Sequence, residues 1–252
     1  MRVVIEDQKI NGIPILELYD CNAEAKKPLV LMLHGMGGCK ESNLREAYRF
    51  VREGFFVCAF DAYGHGEWPD ETATPLTQAE RLLNLPDIIS NTVIMIDGLL
   101  KHYRHFDRAD GARVGLLGRS MGGMIVYAYI TGERAPGVKA AVPLVATPAW
   151  RQQLHHMDPD TIKGTFTEDR LQWLIQNEPR RRFHRLRDLP LLMLNGARDP
   201  KMSIAEVRES FGEIQKQYGD KERVRLIEYE ETGHEVTSVM ITEAIGWFKK
   251  YL

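Results

Sequence analysis

Ser120, Asp199 and His234 are far apart in the chain, yet together their side chains could cleave an acyl bond. A serine hydroxyl is a weak nucleophile until an imidazole takes its proton, and the imidazole needs a carboxylate to fix its tautomer and balance its charge. Ser120 stands in Gly118-Arg119-Ser120-Met121-Gly122-Gly123, after the apolar "RVGLLG" and at the head of "MGGMIVYAYI". A tight strand-to-helix turn there lifts the hydroxyl above a sheet edge, and the flanking glycines remove Cβ atoms that would crowd it. Composition alone yields G-x-S-x-G in roughly 4% of shuffled sequences, so the placement between strand and helix carries more weight than the motif. The plain alternative is a glycine-lined turn with an idle serine.

His234, in "EETGHEV", follows the last predicted strand and precedes the last helix, which suits a general base. Asp199, in "LNGARDP", lies just beyond a buried strand, and Pro200 biases it toward extended backbone. Asp61, after "FFVCAF", competes with it, although an aspartate in such a loop ordinarily holds backbone N–H groups. The oxyanion of an acyl-transfer intermediate needs two donors, and the backbone N–H groups of Met121 and of Met36 in "HGMGG" are placed for it. His34 is expected to brace that loop through its ring. A phosphate-binding glycine loop would end in Lys-Ser/Thr or keep G-x-G-x-x-G spacing, and this one does neither. His102-x-x-His105 has no Cys or carboxylate set to complete a metal site, so neither metal nor organic cofactor is expected.

The elements that must position these residues alternate along the chain. "VVIED", "PILELYD", "PLVLMLH", "FFVCAF", "RVGLLG", "VKAAVPLV", "PLLMLNG" and "RVRLIEYE" read as strands. The first two should pair as an antiparallel hairpin about Asn11–Gly12. The later strands are continuous apolar runs followed by helical patterns at 41–53, 86–105, 120–131, 204–218 and 236–251, the signature of parallel strands buried on both faces. The expectation is therefore an α/β fold: a mostly parallel eight-stranded sheet with helices on both faces, in a single domain spanning 1–252. The stretch 147–189 is long for a connection and reads as a lid or cap, with an oligomer contact as the alternative. Its Trp150, Met157, Phe166 and Trp173 could line an apolar acyl pocket or simply pack. Arg119, Arg151 or Arg180–Arg182 could favour an acidic substrate, or be solvated surface.

Composition narrows the partners. Of 252 residues, 44% are hydrophobic and 27% charged, and a net charge of −2 gives no field to draw nucleic acid or anionic membrane. The N-terminus has no apolar run of signal-peptide length, and no segment approaches the ~20 apolar residues of a membrane span. Cys21, Cys39 and Cys58 are widely spaced, which fits reduced thiols in a cytoplasmic protein. A small-molecule ester is the expected partner, and the oligomeric state stays open.

Taken in order, "LMLHGMGG", "FDAYGHGEW", "GLLGRSMGG", "LNGARDP" and "ETGHEV" resemble the α/β-hydrolase superfamily over nearly the whole chain. The doubled glycine Gly122–Gly123 and compact body are similar to prolyl-oligopeptidase-like and dienelactone-hydrolase-like esterases. The chain departs from the former in having no room for a propeller domain, and from the latter in carrying Ser120 where they carry cysteine. The resemblance implies that Asp61, Gly64, His65 and Gly66 are structural. It implies a serine carboxylic-ester hydrolase working through an acyl-enzyme. A thioesterase or amidase with the same triad, and a non-catalytic binding protein of this fold, are the alternatives.

Overall fold

The computed structural model describes residues 1–68, 77–133, 137–151 and 166–252. Strands β1 (Val3–Ile10), β2 (Ile13–Asp20), β3 (Lys27–Leu33), β4 (Phe56–Phe60), β5 (Ala109–Arg119), β6 (Val138–Leu144), β7 (Leu191–Gly196) and β8 (Val224–Tyr229) make one sheet. Its order is β1-β2-β4-β3-β5-β6-β7-β8. β1 and β2 form the expected hairpin, with Ile10 opposite Ile13 and the two turn residues Asn11 and Gly12 at φ 52° and 81°. Positive φ at both turn positions matches the right-handed twist of the strands, and Asn-Gly is the pair that adopts it most readily. β2 meets β4 antiparallel, and all pairs from β4 across to β8 are parallel.

The continuous apolar runs are explained by two cores. Leu29, Leu31 and Leu33 of β3 face one layer, while Val30 and Met32 face the other. The first layer is closed by α3 (Leu85–Tyr103), α4 (Met121–Ile130) and α6 (Ile204–Gln215), with Ile96, Ile125 and Val207 fully buried. The second is closed by α1 (Leu44–Arg52) and α7 (Ser238–Tyr251) through Phe50 and Phe248. Helices therefore cover both faces, and every βα connection delivers its loop to the same sheet edge.

Some elements differ from the sequence reading. The helix expected at 41–53 begins as a 3-10 turn over Lys40–Asn43 and becomes α-helical at Leu44. A short α2 (Gln78–Leu83) was not expected. It opens on a reciprocal cap in which Thr77 Oγ1 accepts from Glu80 N–H while the Glu80 carboxylate accepts from Thr77 N–H. In the stretch read as a lid, α5 (Glu168–Gln176) and a 3-10 segment over Pro179–Arg185 lie within the described residues, whereas 152–165, including Met157, lie outside them. No helix of the described residues is long and apolar enough to cross a membrane.

Candidate active site

Three loops at that sheet edge bring the expected residues together. β5 ends at Arg119 and α4 starts at Met121, leaving Ser120 alone on the turn at φ 53°, ψ −118°. That backbone is strained for any residue with a Cβ. It persists because the turn is locked on both sides: Ser120 N–H donates to Leu144 O at 2.9 Å, and Met124 N–H closes the first helical turn on Ser120 O at 3.0 Å. The approach of α4 to the strands tolerates no side chain. A Cβ on Gly118 would stand 2.3 Å from Gly122 O, and one on Gly122 would stand 2.6 Å from His34 O.

The Ser120 hydroxyl lies 2.8 Å from His234 Nε2, and His234 Nδ1 lies 2.7 Å from Asp199 Oδ2. The carboxylate can only accept, so Nδ1 carries the proton and Nε2 is left to accept from the serine. Asp199 is held in turn: its Oδ1 accepts from Lys201 N–H at 2.8 Å and Met202 N–H at 3.0 Å. Its side chain is fully buried, and the imidazole remains 15% exposed. The loop carrying His234 packs directly on the end of β7, where a Cβ on Gly196 would meet Thr232 O at 2.3 Å.

Met121 N–H is the first of α4 and has no acceptor inside the helix. The loop after β3 lies against the same turn, since a Cβ on Gly35 would stand 3.5 Å from Ser120 Cβ. Met36 follows that glycine. His34 is fully buried and braces the loop: Nδ1–H donates to Gly35 O at 2.8 Å, and Nε2 accepts from Ala62 N–H at 3.0 Å. Asp61 does likewise for the next loop, accepting from Lys40 N–H and Glu67 N–H, so both its oxygens are engaged away from His234. Burial pushes the Asp61 carboxyl up against those two bonds.

Burial also lowers His34 from 6.5 to about 4. The ring is therefore neutral in the fold where the unfolded chain would protonate it, so its contribution is complete above pH 6.5 and lost as pH falls toward 4. The loss amounts to about 3 kcal/mol. Urea unfolding at pH 7, 5.5 and 4.5 should show a steeper acid decline in the wild type than in His34→Gln, whose amide does not titrate. Equal slopes would refute this.

The carboxylates of Asp7, Glu41 and Glu67 lie close enough together to hold an ion. The buried Lys40 ammonium already sits among them, 2.8 Å from Glu41 and 3.5 Å from Asp7, with Glu67 in direct contact. Trp150 and Trp173, two of the residues read as an acyl pocket, do share a cavity of about 410 Å³ with Ile89, Ala128 and Arg182. None of Ser120, Asp199 and His234 lines it, and Phe166 is buried in the core instead.

Residues 24–168 match the family described as serine aminopeptidase, S33. A protein of Bacillus subtilis (strain 168) named "Putative esterase YitV" is 31% identical over 99% of this chain and 100% of its own. The chain belongs to this hydrolase family. Its fold is that of the α/β hydrolases: an acetyl xylan esterase from Paenibacillus sp. R4 superposes with a TM-score of 0.73 at 16% identity, over 100% of this chain and 88% of the other. A Klebsiella pneumoniae protein named "Putative Dienelactone Hydrolase" gives 0.73 at 16% identity over the full length of both. The family supplies the setting, and the side chains of this hydrolase decide what it can do there.

Proposed function

We propose that this hydrolase cleaves carboxylic esters through an acyl-enzyme on Ser120, with His234 as base and acid and Asp199 orienting it. The observation that carries this reading is the unbroken line from the Ser120 hydroxyl through both ring nitrogens to a carboxylate pinned by two backbone N–H groups. As Oγ bonds to the acyl carbon, its proton passes to His234 Nε2, and the carbonyl oxygen becomes an oxyanion facing the Met36 and Met121 N–H groups. Collapse breaks the bond to the alcohol, which leaves with the proton from Nε2. Water then adds by the same route, frees the acid and restores the serine. The segment 147–189 is proposed as a cap over this edge. The esterase name of the relative supports ester chemistry, while the family description favours a second reading, amide cleavage by the same groups.

A fluorophosphonate probe should label Ser120 stoichiometrically, as located by peptide mass. A p-nitrophenyl ester should turn over at least a hundredfold faster than the matched p-nitroanilide. Unlabelled Ser120 removes the serine-hydrolase reading, and a faster anilide replaces the esterase with an amidase.

A further inference from the structure

Two guanidinium groups flank the loop that carries Met36, and neither is ion-paired or hydrogen-bonded to a carboxylate among the described residues. Arg119, half-buried at the end of β5, places Nε 3.5 Å from the point where a Cβ of Gly35 would stand, and Ser120 Cβ is equally close to that point. The empty side-chain position of Gly35 is thus shared by the serine and the arginine beside it. Arg81, on α2, places Nη1 3.7 Å from the corresponding point at Gly37, two residues further along the same loop. Two residues span at most about 7 Å, so the two cations flank neighbouring positions of one loop. Arg81 Nε is buried and has no hydrogen-bond partner among the described residues. A buried donor left unsatisfied is costly, so one that persists calls for an acceptor from elsewhere.

Acids nearby, among the described residues, are engaged elsewhere. Asp61 gives both oxygens to backbone N–H groups, Asp199 gives its own to His234, Lys201 and Met202, and Glu80 turns back to Thr77. Some other arginines are paired: Arg180 with Glu209 and Glu213, Arg198 with Glu231, Arg208 with Glu228. Arg119 is felt by the buried His34 ring, and Arg81 by His65 and by the neighbouring Glu80, whose carboxylate is hydrogen-bonded back to Thr77.

We infer that Arg119 and Arg81 form an anion subsite beside Ser120, and that the preferred substrates are esters carrying their own carboxylate near the scissile bond. A guanidinium fork recognises a carboxylate through two parallel hydrogen bonds, and a half-buried one is less screened than a surface charge. The inference rests on the hydrolase reading for turnover but not for binding. The carboxylate could sit on the acid or the alcohol side of the ester.

The test compares two pairs of esters: the p-nitrophenyl half-ester of glutarate with its methyl-capped form, and 4-acetoxybenzoate with its methyl ester. In at least one pair the charged member should have a kcat/KM about tenfold higher, expressed in KM and shrinking in 0.5 M salt. Arg119→Met and Arg81→Met should each bring that ratio toward one, and Arg119→Lys should keep part of it. Ser120→Ala protein, titrated calorimetrically with 4-acetoxybenzoate and the glutarate half-ester, should bind one of them. That affinity should fall about tenfold when either arginine is also replaced by Met. No preference in either pair, or Met variants that slow both members equally, would overturn the subsite. If the wild type turned over none of the esters but binding stayed arginine-dependent, the hydrolase reading would fall and the subsite would stand. Binding that ignored both arginines would remove it.

Discussion

Replacing Ser120 with alanine should lower kcat for a p-nitrophenyl acyl ester by about four orders of magnitude. The oxygen lost is the one 2.8 Å from His234 Nε2, and no other hydroxyl is hydrogen-bonded to that nitrogen among the described residues. On the proposed mechanism, the two backbone donors and the binding surface that remain would supply about 10³–10⁴-fold over water. A structural serine would behave differently, because the turn itself is made by backbone bonds from Ser120 N–H and to Ser120 O, which alanine keeps. Ser120→Gly sharpens the distinction. At φ 53° a Cβ is a burden that glycine relieves, so this variant should lose the same activity while its unfolding free energy rises by about 1 kcal/mol. Activity within tenfold of the wild type in either variant would exclude Ser120 as the nucleophile. The urea midpoint checks the stability half of the expectation.

The parallel strands were legible because burial on both faces leaves an unmistakable apolar run, and all five of Phe56–Phe60 are indeed buried. Asn11–Gly12 was legible for a different reason, since few residue pairs accept positive φ twice. Ser120, Asp199 and His234 could be placed at one edge because each follows a strand, and parallel strands all end on the same side. Other features were not readable in that way. The cap on α2 was present as Thr77-x-x-Glu80, but the apolar run that normally marks a helix is too short there to be seen by periodicity. The position of Arg81 beside Gly37 is not readable in the sequence either, since it depends on how a short helix folds back over a loop. The aromatic residues of the insertion stay open between pocket and packing for a related reason. Composition says that Trp150, Phe166 and Trp173 will be covered, but not by what, and Trp150 and Phe166 are covered by the core. Arg180 likewise could be seen as one of a basic run, whereas its carboxylate partners Glu209 and Glu213 come from α6.

Asp199→Asn should cost nearly as much as loss of the serine, about 10³–10⁴ in kcat, without displacing the histidine. The reason lies in which oxygen is pinned. Oδ1 accepts from Lys201 N–H and Met202 N–H, two donors that an amide nitrogen could not satisfy. The asparagine must therefore keep its oxygen at that position and turn its NH2 toward His234 Nδ1, now 2.7 Å from Oδ2. An NH2 group donates, so Nδ1 must accept and the ring proton moves to Nε2. Nε2 then points a hydrogen at the Ser120 hydroxyl and can no longer take its proton. The backbone around Asp199 is thus what converts a one-atom change into the wrong tautomer. Nitrogen-15 NMR of the imidazole should report protonation at Nδ1 in the wild type and at Nε2 in the variant, at neutral pH and with similar thermal stability. A variant that keeps the Nδ1–H form, or that keeps a tenth of wild-type turnover, would show that Asp199 does not set the state of His234.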